Sequence, residues 1–200
     1  MLRRIRLALW IVVGVALLGV GLYLSGRLPD SLPDPRRLPL AASIGGPFEL
    51  TAQDGRRFSS TSLTGKPYAI FFGFTQCPDV CPTTLLEMSN HLTALGATAK
   101  DLAVLFVSVD PERDTREHMQ AYLANFDARI VGLTGTAAEI AEIAKVYRVV
   151  YEKVPTSGGY TLNHTAAVYL MNKAGRLAGT LNYQEPGPVQ VEKLRRLLAE

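Results

Sequence analysis

The sequence predicts an α/β sandwich preceded by one N-terminal transmembrane helix. Two observations lead to this fold class. Residues 7–24 form a long run without a single charge, and from Pro47 onward short apolar runs alternate with segments of helical periodicity. The last 36 residues then add a hairpin and a helix that close the domain.

The N-terminal segment has the features of an uncleaved membrane anchor. Residues 1–6 carry three arginines, and the uncharged run over 7–24 is long enough to cross most of a bilayer at about 1.5 Å per residue. Trp10 and Tyr23 lie near its two ends, where interfacial aromatics belong. A cleaved signal peptide is the alternative, but the run exceeds the usual core of about 7–15 residues. The arginines predict a cytoplasmic N-terminus and an exported C-terminal domain.

Residues 25–46 contain four prolines and predict a semi-extended tether. Of the 21 Lys and Arg residues, 15 follow position 46, against 16 of the 18 Asp and Glu residues. The domain over 47–200 therefore has a net charge of −1, and the basicity of the chain belongs to the anchor and tether. This distribution gives no support for nucleic-acid binding.

The domain is organised around a predicted buried strand, Tyr68 to Phe74, that leads into the two cysteines of the chain, Cys77 and Cys81. Pro82 follows at a position that suits the first turn of a helix. Both sulfurs are thus expected at a helix N-terminus, where backbone N–H groups favour a thiolate. Their four-residue spacing places them on one face, able to form a disulfide or to bind one soft metal ion.

The other elements follow in order along the chain. Predicted strands lie at Phe48–Thr51 and Arg57–Ser59 around a turn, at Leu102–Val109, at Ile130–Leu133, at Val149–Val154, and in a closing hairpin at Thr165–Met171 and Leu177–Tyr183. Predicted helices run to Gly96, begin at a cap by Asp114 or Thr115, begin at a capping box of Thr136 with Glu139, and begin near Val189. This order is typical of a thioredoxin-like sandwich.

The cysteine pair could be a plain structural disulfide, but so short a loop would remove little chain entropy, which favours redox or metal chemistry. Among the three histidines, His91 and His118 are expected to be ordinary helix residues. His164 stands just ahead of the predicted strand Ala166 to Met171, a position that faces the cysteine loop in a sheet of this type. Two thiolates and one imidazole suit Cu(I) or Cu(II). A structural zinc site normally needs a fourth protein ligand.

Three motifs occur in order along the domain: FFGFTQCPDVCP around the cysteines, VSVDPERDT at Val107 to Thr115, and YTLNHT from Tyr160. Together they resemble the Sco/SenC family of membrane-anchored, thioredoxin-like copper proteins. The resemblance implies that Cys77, Cys81 and His164 are copper ligands. It also implies a role in cytochrome c oxidase assembly, by delivering copper to, or reducing the cysteines of, the dinuclear copper site in subunit II. The family commonly has Asp-His-Ser where this chain has Asn-His-Thr, so an acidic neighbour of the histidine is lost.

The alternative function is a thiol–disulfide oxidoreductase that acts through Cys77 and Cys81 without metal. A peroxidase of related fold is not favoured, because nothing at Cys77 indicates it. Asp79 could steady the loop, modulate the charge of the metal, or cap the helix with its carboxylate. The charged turn with Asp110, Arg113 and Asp114 needs only solvation and a helix cap to explain it, and Phe74 and Tyr160 are expected to be packing residues.

The predicted location is a bacterial inner membrane, with a single span, a cytoplasmic N-terminus and a periplasmic C-terminal domain. Residues 1–6 are too few for a mitochondrial presequence ahead of the anchor. The expected partners are cytochrome c oxidase subunit II and either a copper donor protein or a thiol reductase.

Overall fold

The computed structural model describes residues 2–25 and 44–200, and the chain divides into two compact units after Ala42. In the first unit, helix α1 spans Leu2–Ser25, so most of the predicted tail and the first predicted tether residue are helical. Among the described residues, no helix combines the length and apolarity that a membrane span requires, and the anchor stays a prediction. The rest of the predicted tether falls largely on 26–43, outside the described residues.

The second unit confirms the predicted alternation of strands and helices. Its strands are β1 Glu49–Ala52, β2 Arg57–Ser59, β3 Tyr68–Gly73, β4 Ala103–Ser108, β5 Ile130–Thr134, β6 Tyr151–Thr156, β7 Gly159–His164, β8 Val168–Met171 and β9 Leu177–Leu181. Its α-helices are α2 Val80–Leu95, α3 Arg116–Leu123, α4 Ala137–Tyr147 and α5 Gly187–Ala199. Short 3₁₀ helices lie at Ser60–Leu63 and Gly96–Ala99.

Seven strands form one sheet in the order β2-β1-β5-β4-β3-β8-β9. Strands β3, β4 and β5 are parallel, and β8 pairs antiparallel with β3. Strand β3 is therefore bonded on both sides, and all six of its residues are buried. The two crossovers that link parallel strands place the carboxyl ends of β3 and β4 at one edge of the sheet, where Val109 N donates to Gly73 O.

Side chains alternate between the two faces of the sheet and build a separate core on each. Ile70 and Phe72 of β3 contribute to the core that α4 covers with Ile140, Ile143 and Tyr147. Ala69 and Phe71 contribute to the opposite core, which α2, α3 and α5 cover. The result is the predicted α/β sandwich, here with helices on both faces of the sheet and β3 among its interior strands.

Two predicted helix starts can be compared with the observed caps. The capping box of Thr136 and Glu139 is confirmed, because each side chain bonds the other residue's backbone N–H. At α3 the cap is Thr115, whose hydroxyl accepts a hydrogen bond from the backbone N–H of His118. Asp114, the other candidate cap, is wholly buried and bonds elsewhere.

The sequence missed strand β7. The predicted loop at Ser157–Gly159 is the turn of a hairpin in which β6 and β7 pair antiparallel in a sheet of their own, here called the His hairpin. Only Leu162 of β7 is buried, so the strand has no apolar alternation to reveal it. His164 is accordingly the last residue of β7, and the closing strand begins at Val168 rather than at Thr165 or Ala166.

Candidate metal centre

The structure brings together Cys77, Cys81 and His164, the three residues predicted from the sequence. Cys77 lies in the loop between β3 and α2, Cys81 is the second residue of α2, and His164 ends the His hairpin. One potential ligand atom from each, two Sγ and one imidazole nitrogen, lies within 4.8 Å of the other two. Among the described residues, this is the one such group of three that could hold a metal ion.

The cysteine loop is ordered by its own backbone. Cys77 N donates to Phe74 O at 3.2 Å, and Cys81 N lies 3.5 Å from Cys77 Sγ, which accepts from it. Both cysteines are free thiols, Cys77 half-buried and Cys81 buried. Because the helix begins at Val80, its free N–H groups point toward the loop and favour negative charge on sulfur.

The tautomer of His164 follows from its hydrogen bond. Nδ1 lies 3.0 Å from the carbonyl oxygen of Thr165, which can only accept, so Nδ1 carries the proton. The lone pair of Nε2 is therefore free to face Cys81 Sγ at 3.5 Å. The ring of Phe74 packs edge-on against the imidazole with 5.8 Å between centroids, which fixes its orientation. Such support is typical of a metal-ligating histidine.

The two thiols have opposite acidities. A hydrogen bond from the Cys81 side chain lowers the pKa of Cys77 to about 3, against burial and with help from His164 and two backbone N–H groups. The same bond raises the pKa of Cys81, and burial adds to the effect. Burial lowers the pKa of His164, but the Cys77 thiolate and the Thr165 carbonyl outweigh it and raise the pKa overall. Near neutral pH the pair thus holds one thiolate, on Cys77.

Gly73, the last residue of β3, makes room for Cys81. A Cβ atom placed on Gly73 would lie 2.5 Å from Cys81 Sγ and 3.0 Å from Cε2 of Phe106. The φ of Gly73 lies outside the left-handed region, so the requirement is for space alone. In the sequence, this glycine stands out only as part of the predicted strand Tyr68 to Phe74.

Asp114 holds the start of the cysteine loop in place. Its side chain, fully buried, accepts hydrogen bonds from Thr75 N, from the Thr75 hydroxyl and from the Ser108 hydroxyl, at 3.0, 2.6 and 2.6 Å. Each oxygen of the carboxylate thus has a partner, as a buried charge requires. Thr75 lies two residues before Cys77, so the carboxylate ties the loop to the end of β4.

Asp110 and Arg113 are also more than a solvated turn, which corrects the interpretation from sequence. The Asp110 side chain has no exposed surface and pairs with Arg113 Nε. Its other oxygen accepts from the Tyr160 hydroxyl at 2.7 Å, and the Arg113 guanidinium stacks 3.7 Å from the centroid of the Tyr160 ring. Tyr160 therefore packs against Arg113, as a packing residue was predicted to do, and also donates a hydrogen bond to Asp110. Because these contacts join residues about 50 positions apart, no local pattern could have found them.

Asp79 occupies the N-cap position of α2, but its side chain makes no capping hydrogen bond. Both of its carboxylate oxygens lie 3.2 Å from the Tyr183 hydroxyl, which donates to the carboxylate from the loop after β9. The helix-cap explanation for Asp79 is therefore wrong. Asp79 instead links the cysteine loop to the segment between β9 and α5.

The other two histidines lie outside the group. His91 is buried on α2 and bonds Oε1 of Gln190 on α5 at 2.8 Å, which makes it a core residue. His118 is exposed on α3. Both agree with the prediction that they are ordinary helix residues.

Comparison with known proteins gives a consistent result. The SCO1/SenC family model matches residues 36–199. The mitochondrial SCO1 homolog of Homo sapiens is 37% identical over 174 residues, covering 84% of this chain and 58% of the human protein. The chain spans 40–66% of the lengths of the first curated relatives that it matches.

Solved structures also resemble this chain. Copper-bound ScoI of Bradyrhizobium japonicum is 48% identical and covers 78% of this chain and 99% of its own, with a TM-score of 0.73. BsSco, described as a member of the Sco family of cytochrome c oxidase assembly proteins, is 26% identical. It covers 80% of this chain and 95% of its own, with a TM-score of 0.64.

Proposed function

This chain belongs to the SCO1/SenC family, and on that premise we propose that it binds one copper ion through Cys77, Cys81 and His164 and acts in cytochrome c oxidase assembly. The observation that carries the proposal is the convergence of the three side chains within 4.8 Å. In that role the chain would deliver copper to the dinuclear copper site of oxidase subunit II, or would reduce the cysteines of that site.

The donor set fits copper. Two sulfurs and one imidazole are soft and borderline ligands, which suit copper in both of its common oxidation states. The Cys77 thiolate is already formed at neutral pH, and His164 presents a lone pair on Nε2. Metal binding would displace the proton that Cys81 holds, so the affinity should rise with pH. A closed structural zinc site would want a fourth ligand, and none joins the group among the described residues.

Copper titration of the reduced full-length chain in a mild detergent tests this proposal. We expect one copper per chain, with the affinity lowered in Cys77→Ser, Cys81→Ser and His164→Ala. His118→Ala is the matched control, because this exposed histidine lies outside the group, and it should bind as the unsubstituted chain does. Absence of copper, or full affinity in His164→Ala, would contradict the proposal.

Thiol–disulfide exchange is the second candidate, and the opposite acidities of the two cysteines favour it. The Cys77 thiolate would attack one sulfur of a partner disulfide, whose S–S bond breaks and releases the other sulfur as a thiolate. Cys81 would then give its proton to His164 Nε2 at 3.5 Å and attack the Cys77 sulfur of the mixed disulfide, whose S–S bond breaks and releases the second partner sulfur as a thiolate. The products are a Cys77–Cys81 disulfide and a partner dithiol, so two electrons pass to the partner.

The two activities exclude each other at any moment, because a Cys77–Cys81 disulfide leaves no thiolate for metal. We expect the oxidised chain to bind Cu(I) poorly and to regain affinity after reduction. For exchange, Cys81→Ser should trap a mixed disulfide with a model disulfide peptide, whereas Cys77→Ser should form none. Equal Cu(I) affinity in both redox states would overturn the exclusion, and failure to trap the mixed disulfide would overturn the exchange activity.

The proposed setting is a membrane surface outside the cytoplasm. Residues 7–24 would anchor the chain in a bacterial inner membrane, with residues 1–6 cytoplasmic and the domain over 47–200, here called the Sco domain, periplasmic. A related SCO1/SenC protein of Bacillus anthracis is described as a lipoprotein, which is a different means of reaching a membrane. The proposed partners are oxidase subunit II and a copper donor or thiol reductase. Membrane fractionation and protease accessibility of the Sco domain in intact spheroplasts test the topology.

A further inference from the structure

We propose that Arg113 is a positioning residue that fastens the His hairpin to the cysteine loop and thereby holds His164 opposite Cys81. The inference deepens the proposed function, on which its copper measurements rest. The Arg113 side chain forms no hydrogen bond with either cysteine or with His164. It acts through the segments that carry these three residues.

The need for a fastening arises from the topology. Both cysteines follow β3, the strand bonded on both sides in the main sheet, whereas His164 ends a two-stranded sheet that makes no ladder with the main sheet. In β7 only Leu162 is buried, so little apolar burial holds that strand. The ion pair of Lys153 with Glu112 does reach the hairpin, but both side chains are about half exposed or more, and such pairs stabilise weakly.

One nitrogen of Arg113 bridges the two segments. Nη1 donates to Gln76 Oε1 at 3.1 Å and to the backbone carbonyl of Tyr160 at 2.8 Å. Gln76 directly precedes Cys77, and Tyr160 lies on the strand that ends at His164. The shared donor therefore sets the distance between the cysteine loop and the hairpin.

The guanidinium is itself fixed to the main sheet. Its Nε donates to the buried carboxylate of Asp110, just beyond β4, and the Tyr160 hydroxyl donates to the same carboxylate. Hydrogen bonds between charged groups are about twice as strong as neutral ones. The Arg113 side chain is only 21% exposed, so the pairing is shielded from solvent.

Stacking provides a second route to the histidine. Arg113 Cζ lies 3.7 Å from the centroid of the Tyr160 ring and 5.8 Å from that of Phe74. Its Nη2 is buried and makes no hydrogen bond to any described residue, so the guanidinium is held by these two rings as well as by the hydrogen bonds of Nε and Nη1. Phe74 in turn packs edge-on against His164. Arg113 thus supports the imidazole both through the hairpin backbone and through Phe74.

A double-mutant cycle tests the inference in the reduced full-length chain. A lysine at this position keeps the charge but lacks the planar fork that serves Asp110, Gln76 and Tyr160 together. We expect Arg113→Lys to lower Cu(I) affinity about 10- to 100-fold, as losses of supporting groups around metal ligands do. In the His164→Ala background the same change should have no further effect, because its action passes through His164. Arg116→Lys, at an exposed arginine paired with Glu117, is the matched control.

Hydrogen exchange of the reduced, metal-free chain provides a readout without copper. Arg113→Lys should accelerate exchange at amides of the His hairpin while those of β3 stay protected. Gln76→Ala removes the acceptor that Arg113 Nη1 bonds in the cysteine loop. Because Gln76 is exposed, this variant replaces Arg113→Lys in the experiment if that variant fails to fold. It should lower Cu(I) affinity in the same direction, by less, and likewise without effect in the His164→Ala background.

The proposal is overturned if Arg113→Lys lowers the affinity equally in both backgrounds, or if hairpin and β3 amides accelerate together. The first result would mean that Arg113 does not act through His164, and the second that it merely stabilises the fold. If the unsubstituted chain binds no copper, the proposed function fails, and the exchange experiment alone decides whether Arg113 fastens the hairpin.

Discussion

Replacing Gly73 with alanine adds one methyl group beside Cys81 and should disturb the proposed metal centre. The added Cβ would lie 2.5 Å from Cys81 Sγ, against an ordinary van der Waals separation of about 3.5–4 Å for carbon contacts. Because Phe106 closes the other side at 3.0 Å, the sulfur has to move by about 1 Å. That displacement carries Cys81 away from the position it shares with Cys77 and His164.

The expected magnitudes follow from two opposing effects. Overpacking a buried site costs about 1–3 kcal/mol, while alanine in place of glycine recovers about 0.4–1 kcal/mol through the unfolded chain. We expect Gly73→Ala to lose about 1–2 kcal/mol of unfolding free energy. Copper affinity should fall at least about tenfold because the Cys81 ligand is misplaced. A tenfold loss corresponds to about 1.4 kcal/mol of binding free energy.

Urea unfolding of the reduced chain and competitive Cu(I) titration measure the two effects. Gly179→Ala is the matched control, because this glycine also lies on a strand but has no atom within 4 Å of the place that an added methyl group would take. The control should be neutral or slightly stabilising and should bind copper normally. If Gly73→Ala matched the control in both assays, a requirement for glycine at position 73 to make room for the Cys81 sulfur would be refuted.

Three further predictions concern groups around the centre. Since the pKa of Cys77 is lowered to about 3, its thiolate persists down to acid pH. The rate at which iodoacetamide alkylates the reduced chain, measured by mass spectrometry, should therefore be nearly constant from about pH 8 to 5. A tenfold loss of rate per pH unit would contradict this prediction. Asp114→Asn places an amide N–H₂ among three donors and should cost about 3 kcal/mol in urea unfolding, whereas Asp101→Asn, at an exposed site, should cost little. Tyr183→Phe removes the bond to Asp79 and should accelerate amide exchange in the cysteine loop with less than about 1 kcal/mol of lost stability; unchanged exchange there would show that the bond does not restrain the loop.

The parts of the fold that local sequence determines were predicted well. The buried run of β3 and the box formed by Thr136 and Glu139 depend on neighbouring residues, and both lie where they were expected. The start of α3 was ambiguous because both Asp114 and Thr115 are good capping residues. Hydroxyl donors from Thr75 and Ser108 draw Asp114 into the interior and leave the cap to Thr115.

The three residues of the centre could be selected from the sequence because their side chains have distinctive chemistry and because the motifs around them resemble a known family. The contacts that their supporting residues make could not be predicted in the same way. Arg113 and Gln76 are 37 positions apart, and Tyr183 and Asp79 are 104 apart, so only the folded topology brings each pair together. Strand β7 escaped prediction for a different reason, since pairing with β6 rather than burial defines it.

The separation of the His hairpin from the main sheet also bears on how such a protein can evolve. All six residues of β3 are buried and its side chains pack into one or the other of two cores, so that strand and the cysteines that follow it should tolerate very little variation. The hairpin turn at Ser157–Gly158 has open space around Gly158 and borders no core. Insertions and substitutions there should therefore cost little folding stability. A lineage could therefore alter the surface at the turn of the hairpin, at the opposite end of its strands from His164, while the sulfur half of the proposed centre stays the same.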